Sequence, residues 1–418
     1  MRFACSTLVA LLGFSHLAIG DSIDRVFNVK EGTIKGGCDN YRNGGDMGTK
    51  LEEYFAEAME IINIVSPAID NYSKDFQVQK VAKSFFGITP NDRLDGTRSD
   101  GDQKVLEHVQ EWFRELKRFV NGEWDEKLPL FCDGTWLEVT TKVYKADGIE
   151  QPNLEVKDDK AYGEEIPQLK TGEVLLKPNP PRMVNAYSSI ALTYLAPKYV
   201  AYWSSDLREY YFGPLYNTNP PNYCAIPGHL AVTTATVTST ERSTISLTLC
   251  PMGFFSKRGG EEKIKTSMQK IGAKLQKSNS KSLTLIHEMV HIIGTPAETV
   301  DQLAWRPPPT VRKKIGNKAN PAWPGNTDDF IQKQDEAYNA ADALLLAQKT
   351  PREPTENNPE NYAWAAVAIY LAKEGDMRDY STLLARDPLE PFAGPYPLHR
   401  RDINVSRDQS YVVRNFTA

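Results

Sequence analysis

Apolar side chains recur at helical spacing through much of the first third of the chain. From Leu51 onward, Tyr54, Phe55, Ala58, Ile62 and Val65 fall on one helical face. Thr49 with Glu52 has the form of a capping box at the start of that stripe, after the Gly44-Gly45 turn. A second helix is expected over 75–86. A third, carrying Val105, Val109, Trp112, Phe113 and Leu116, is expected to run to about Val120. These stripes read as core. From about Trp136 to Tyr199 the helical period is lost and Pro, Val, Thr and Tyr become frequent. Segments 230–238 and 243–250 are rich in Val, Thr, Ile and Leu and flank Ser239-Thr240-Glu241-Arg242, the pattern of a β-hairpin that Pro251 ends.

Helical signals return over 261–276, then a polar stretch, 277–282, supplies Ser282 as a cap for a short apolar helix. Residues 295–327 are irregular and rich in proline (Pro296, Pro307-Pro308-Pro309, Pro321, Pro324), a length of loop that marks a functional element or an insertion. Helical patterning resumes over 328–348 and stops at Pro351 and Pro354. Asn358 followed by Pro359 is an N-cap with proline at the first helical position, opening a last helix with Tyr362, Ala366, Ile369 and Tyr370. The tail, 401–418, has no period, and no internal repeats occur. The expected fold class is α+β, a mainly helical body with a small antiparallel sheet beside the apolar helix around residue 288. The expected organisation is a signal peptide over 1–20, a helical N-terminal region over 21–200, and a second region over 201–400 on which the first packs or with which it is continuous.

Composition narrows the partners. A length of 418 residues fits one large domain or two ordinary ones, and a net charge of −5 with scattered Lys and Arg gives no footprint for nucleic acid or an anionic membrane. A monomer is expected. Arg2, the apolar run from Phe3 to Leu12 and the small-x-small triplet Ala18-Ile19-Gly20 have the form of a secretory signal. That run is too short to span a bilayer. An extracellular location is therefore expected. Once Cys5 leaves with the signal, Cys38, Cys132, Cys224 and Cys250 remain, enough for two disulfides in any of three connectivities. Local pairing, Cys38 with Cys132 and Cys224 with Cys250, is the expectation. Asn71-Tyr72-Ser73, Asn404-Val405-Ser406 and Asn415-Phe416-Thr417 are glycosylation acceptor triplets.

The candidate chemistry lies in His287-Glu288-Met289-Val290-His291, set between Leu283-Thr284-Leu285-Ile286 and Ile292-Ile293-Gly294. Residues four apart share a helical face, so two imidazoles can converge on one zinc ion while Glu288 takes a proton from the water that the ion activates. The plain alternative is a buried amphipathic helix whose histidines only hydrogen-bond. A catalytic zinc takes three protein ligands and leaves one position for water. Spacing leaves the third open. The metzincin position falls on Ala297, which cannot coordinate, Glu298 is one residue out of register, Asp301 is within reach of a tight turn, and Glu336 suits a ligand from a following helix.

Leu285 to His291 resembles the zinc helix of the deuterolysin-like aspzincins, secreted fungal zinc metallo-endopeptidases that include a lysine-specific branch. Asp335-Glu336-Ala337-Tyr338-Asn339 looks like that family's Asp-x-x-Tyr-Gly element, and Asn358-Pro359-Glu360-Asn361-Tyr362-Ala363 like its Asn-Ala-Asp-x-Tyr element. Leu247 to Pro251, with Phe254-Phe255, resembles the segment ahead of the zinc helix. The likeness covers about 201–371. It implies a zincin-like catalytic region over 201–400 with 295–327 as an insertion. It further implies one zinc per chain on His287, His291 and Asp335, Glu288 as general base, Tyr338 bonded to the oxyanion, and a peptide or protein substrate. Glu360 would keep one of the acids through which the lysine-preferring branch binds substrate, whereas Ala363 stands where a second would be. The chain departs from the family pattern in lacking Gly-Thr before Asp335, in carrying Asn339 for Gly and in the length of the insertion. A catalytically inactive secreted binding protein on the same scaffold is the alternative.

Overall fold

In a computed structural model of the protein, the described residues are 23–42, 49–89, 100–145, 147–156, 199–214, 218, 221–225, 229–237, 243–255, 263–264, 274–294, 303–305, 334–336, 340–347, 355–375 and 378–381. They form a mixed α+β structure. The first half holds β1 (Phe27–Val29), α1 (Lys50–Asp70), α2 (Phe76–Phe86), α3 (Asp100–Val120), β2 (Leu128–Phe131), β3 (Glu138–Thr140), β4 (Lys142–Tyr144) and β5 (Glu150–Glu155). The second half holds β6 (Tyr199–Ser204), β7 (Glu209–Pro214), β8 (Ala231–Val237), β9 (Ser243–Leu249), α4 (Pro251–Phe255), α5 (Lys281–Ile293), β10 (Leu303–Trp305), β11 (Gln334–Glu336), α6 (Ala340–Ala347) and α7 (Pro359–Lys373).

The three early helices and the last one form where their apolar period placed them, but their ends are made differently. Of the helix expected over 328–348, only Ala340–Ala347 is helical among the described residues. Thr49 is the N-cap of α1 without a side-chain bond to the backbone; its hydroxyl donates to Glu53. Glu52, expected to close the capping box, accepts from Arg42 instead, which also reaches Asp24. An ion pair to a partly buried guanidinium outcompetes the local cap. Helix α2 is capped by Asp75, whose carboxylate accepts from the amides of Gln77 and Val78, and it stops at Gly87, which takes a φ of 67°. That left-handed turn is one that glycine adopts without a steric penalty.

The hairpin is present as expected, with β8 and β9 antiparallel and in register from Ala231↔Leu249 to Val237↔Ser243. The sheet around it is larger than the small antiparallel one expected. Seven strands lie in the order β1-β2-β9-β8-β7-β6-β3, and at one edge β1 runs parallel to β2 and β2 parallel to β9. The parallel edge has a physical cause: its three strands are far apart in sequence, and the crossovers between them carry helices or further strands, as parallel pairing requires. Two further two-stranded ribbons pair β4 with β5 and β10 with β11.

Alternation along each strand divides the sheet between two faces. Leu130, Leu247 and Leu249 join the main core with Phe55, Phe113, Ile286 and Trp364 from the helices, whereas Phe131 and Tyr202 pack with Trp136 and Leu137 in a separate cluster. Helix α7 is buried from Pro359 to Leu371 on all its faces and packs against α1, α2 and α5. A helix enclosed all round needs apolar residues all round, which its Ala, Trp, Val, Ile and Leu provide. One core cluster thus joins residues from Ile23 to Tyr380. Disulfides link Cys38 to Cys132 and Cys224 to Cys250, the expected pairing. No helix among the described residues is long and apolar enough to cross a membrane.

Candidate metal centre

Helix α5 carries the His-Glu-x-x-His segment, and its start is held from three sides. Its N-cap is Ser280, not Ser282. Ser282 lies inside the first turn and donates to the buried carboxylate of Glu57 on α1, which also accepts from the amide of Ile264 at 2.6 Å. Lys281 donates to the carbonyl of Phe254, and its ammonium sits 5.5 Å from the Tyr54 ring centroid. The hydroxyl of Ser282 is therefore committed to a buried acid, where an unmet charge would be costly, and is not available to cap. The helix expected over 261–276 lies largely outside the described residues, but Lys263 and Ile264 are not helical and a 3₁₀ turn occupies Leu275–Ser278.

Leu285, Ile286, Met289, Val290 and Ile292 seat α5 in the core, which leaves the two histidines on a shared side. Their rings are 5.0 Å apart between centroids, with planes inclined at 70°. His287 is buried, only 6 % exposed, and His291 is half-buried. Nδ1 of His287 lies 2.8 Å from Oε2 of Glu360 on α7. The other carboxylate oxygen of Glu360 accepts from Nε1 of Trp364 at 2.6 Å. Glu288 points to the sheet, where the hydroxyl of Thr233 on β8 lies 2.8 Å from its Oε2. Glu288 is likewise 6 % exposed.

The family likeness gives Glu360 a substrate-facing place. It is instead buried at 6 % exposure between α5 and α7, with both oxygens engaged. Its burial comes from the enclosure of α7, a tertiary fact that the local sequence around an Asn-Pro helix start does not carry.

The third donor stands differently. The sequence pattern makes Asp335 helical, sharing a face with Tyr338. It occupies the middle of β11, opposite Ala304 in an antiparallel pair with β10, and helix α6 begins only at Ala340. Cross-strand pairing has overridden the helical period, as tertiary context does for short segments. Glu336 shares that strand. Tyr338, Asp301, Ala297, Glu298 and most of the proline-rich stretch lie outside the described residues. Among the described residues no group of three or more His, Cys, Asp or Glu is arranged to hold a metal.

What is in place fits a metal in part. A ring nitrogen held by a buried carboxylate is the usual support of a metal-binding histidine, because it sets the tautomer and the tilt of the ring. Of the two imidazoles on this helical face His287 has that support, and the pair would supply two of the three ligands a zinc ion needs.

Sequence reasoning singles out neither Thr233 nor Trp364. Trp364 lies four residues after Glu360, the spacing of side-chain partners on a helix, and that signal is readable. Thr233 is one of several threonines in its strand and carries no distinguishing mark. Comparison with protein-family models, curated proteins and solved structures finds no match to this chain.

Proposed function

We propose that this protein is a secreted zinc-dependent endopeptidase of the zincin-like, aspzincin-resembling kind. The observation that carries the reading is the convergence at one helical turn of two neighbouring imidazoles, a buried carboxylate on the ring of His287, and a separately held Glu288. A helix whose histidines served only packing would not need both carboxylates buried beside them, since buried acids are expensive to keep.

In this reading His287 and His291 hold the ion, and Asp335 is the third ligand. Zinc, when bound, supplies Lewis acidity that lowers the pKa of water toward neutrality and polarises a carbonyl. Glu288 accepts the proton of the attacking water and returns it to the departing amine. Thr233 keeps the carboxylate of Glu288 aimed while it changes protonation state. Tyr338 donates to the oxyanion. The two disulfides, which belong to an oxidising compartment, support secretion.

Zinc analysis and casein hydrolysis on the purified protein test this. One zinc per chain with chelator-sensitive cleavage is expected, and Glu288→Gln should retain zinc while lowering turnover by roughly 10²–10⁴-fold. Zinc without cleavage in the parent chain selects the inactive binding scaffold instead. Unchanged cleavage by the Gln variant removes Glu288 as base.

A further inference from the structure

We infer that Glu360 is a positioning residue for the metal centre: it holds the His287 ring as its Nδ1–H tautomer and thereby fixes Nε2 as the coordinating nitrogen. The inference rests on the proposed zinc site.

An ionised carboxylate only accepts, so the 2.8 Å contact between Oε2 of Glu360 and Nδ1 of His287 requires the proton on Nδ1. A neutral imidazole carries one proton. With Nδ1 protonated, the lone pair sits on Nε2, at the opposite edge of the ring. The tautomer, the ring angle and the basicity of the coordinating nitrogen are then all set by one bond.

That bond can do this work because Glu360 itself is held. Nε1 of Trp364, one helical turn on, donates to Oε1 at 2.6 Å, so the carboxylate is bonded on both sides and cannot rotate without breaking one contact. The turn of α7 that carries it is anchored in turn. Asn361 donates to the carbonyls of Phe85 on α2 and, at 2.9 Å, Ala343 on α6, while accepting from Asn358 at 2.5 Å. Tyr362 stacks on Trp112 with centroids 5.2 Å apart and donates to the carbonyl of Glu356. Glu360 also lies in the first turn of the helix, where the aligned backbone dipoles favour a negative charge. An acid that recognised a substrate lysine would need to be open to the cleft, whereas this one is 6 % exposed.

The test uses the full chain in three forms: parent, Glu360→Ala and Glu360→Gln. The histidine tautomers of the zinc-stripped, ¹⁵N-labelled protein are read by long-range proton–nitrogen correlation, and zinc affinity by competition with a chelator. His287 in the parent should be in the Nδ1–H form. Glu360→Ala should shift it to a mixture and weaken zinc binding by roughly 10–100-fold. Glu360→Gln meets both partners only by accepting from Nε1 of Trp364 and donating to a bare Nδ1, so it should move the proton of the stripped His287 to Nε2 and weaken zinc binding as well; it also serves if the alanine variant fails to fold. Trp364→Phe should fall between parent and alanine variant.

A parent whose stripped His287 carries its proton on Nε2 overturns the inference, as does an alanine variant with unchanged tautomer and zinc affinity. Failure of the parent to bind zinc overturns the peptidase reading and with it the metal-centre role of Glu360, whereas a parent that binds zinc with the wrong His287 tautomer overturns the inference alone.

Discussion

The hydroxyl of Thr233 lies 2.8 Å from Oε2 of Glu288 and 3.2 Å from the main-chain oxygen of the same residue, so its single proton is shared between two acceptors of the proposed base, the carboxylate being the nearer. Thr233→Val keeps the shape and removes the donor. It should leave zinc content unchanged and lower kcat by about tenfold, the effect of about 1.4 kcal/mol in the barrier. Steady-state kinetics beside metal analysis measure this. A valine variant with the parent's kcat would show that Glu288 is oriented without the sheet.

The two disulfides should differ in what they contribute. Cys38–Cys132 spans a sequence separation of 94 and Cys224–Cys250 one of 26. Loop-closure entropy gives about 4.7 kcal/mol for the first and about 3.5 kcal/mol for the second. Replacing each pair by alanine and unfolding in denaturant should therefore cost more at Cys38–Cys132, by about 1 kcal/mol. The opposite order would show that native contacts around the second bridge outweigh chain entropy.

Lys80 and Asp379 form an ion pair at 2.9 Å with side chains 1 % and 4 % exposed, joining α2 to the segment after α7. Asp379 also accepts from the amide of Ser381 at 2.8 Å. Asp379→Ala leaves a buried ammonium and should cost about 3–5 kcal/mol in denaturant unfolding. Adding Lys80→Met to that variant should recover much of the loss, since a buried pair replaced by apolar groups is close to neutral. No recovery would mean that the segment is held through Asp379 and Ser381 rather than through the charge.

Tyr41 stacks on Phe254 with centroids 4.0 Å apart, and burial, reinforced by the charge of Asp133, pushes its phenol up to about 12. Below the ordinary tyrosine value of about 10, both folded and unfolded chains keep the proton and the burial counts in full. Between about pH 10 and about pH 12 only the unfolded chain ionises, so stability falls through that window. Tyr41→Phe should flatten the decline in thermal melts taken across it. An equal decline in the variant would place the alkaline sensitivity at other tyrosines.

The hairpin of β8 and β9, the three early helices and the turn of α5 are all legible in the sequence because each depends on a local period. His287, Glu288 and His291 are legible for the same reason: one helical turn contains them. Glu360 is legible as chemically significant but not in its orientation. Its partner His287 is 73 residues away in sequence, and only the enclosure of α7 brings them together. Asp335 shows the converse. Its neighbours have a helical pattern, but pairing with Leu303–Trp305 gives the backbone hydrogen bonds that decide its conformation. The parallel edge is illegible because no short window records which distant strands will lie side by side.

That edge has a consequence for maturation. Strand β2 sits between β1 and β9, so Phe27–Val29 and Leu128–Phe131 are woven into the same sheet as the hairpin. Any processing event that discarded β1, β2 and the helices between them would have to unzip β9 and strip away α1 and α3, which bear on α5. From β1 to β2 the described polypeptide is part of the wall that keeps the histidine pair upright.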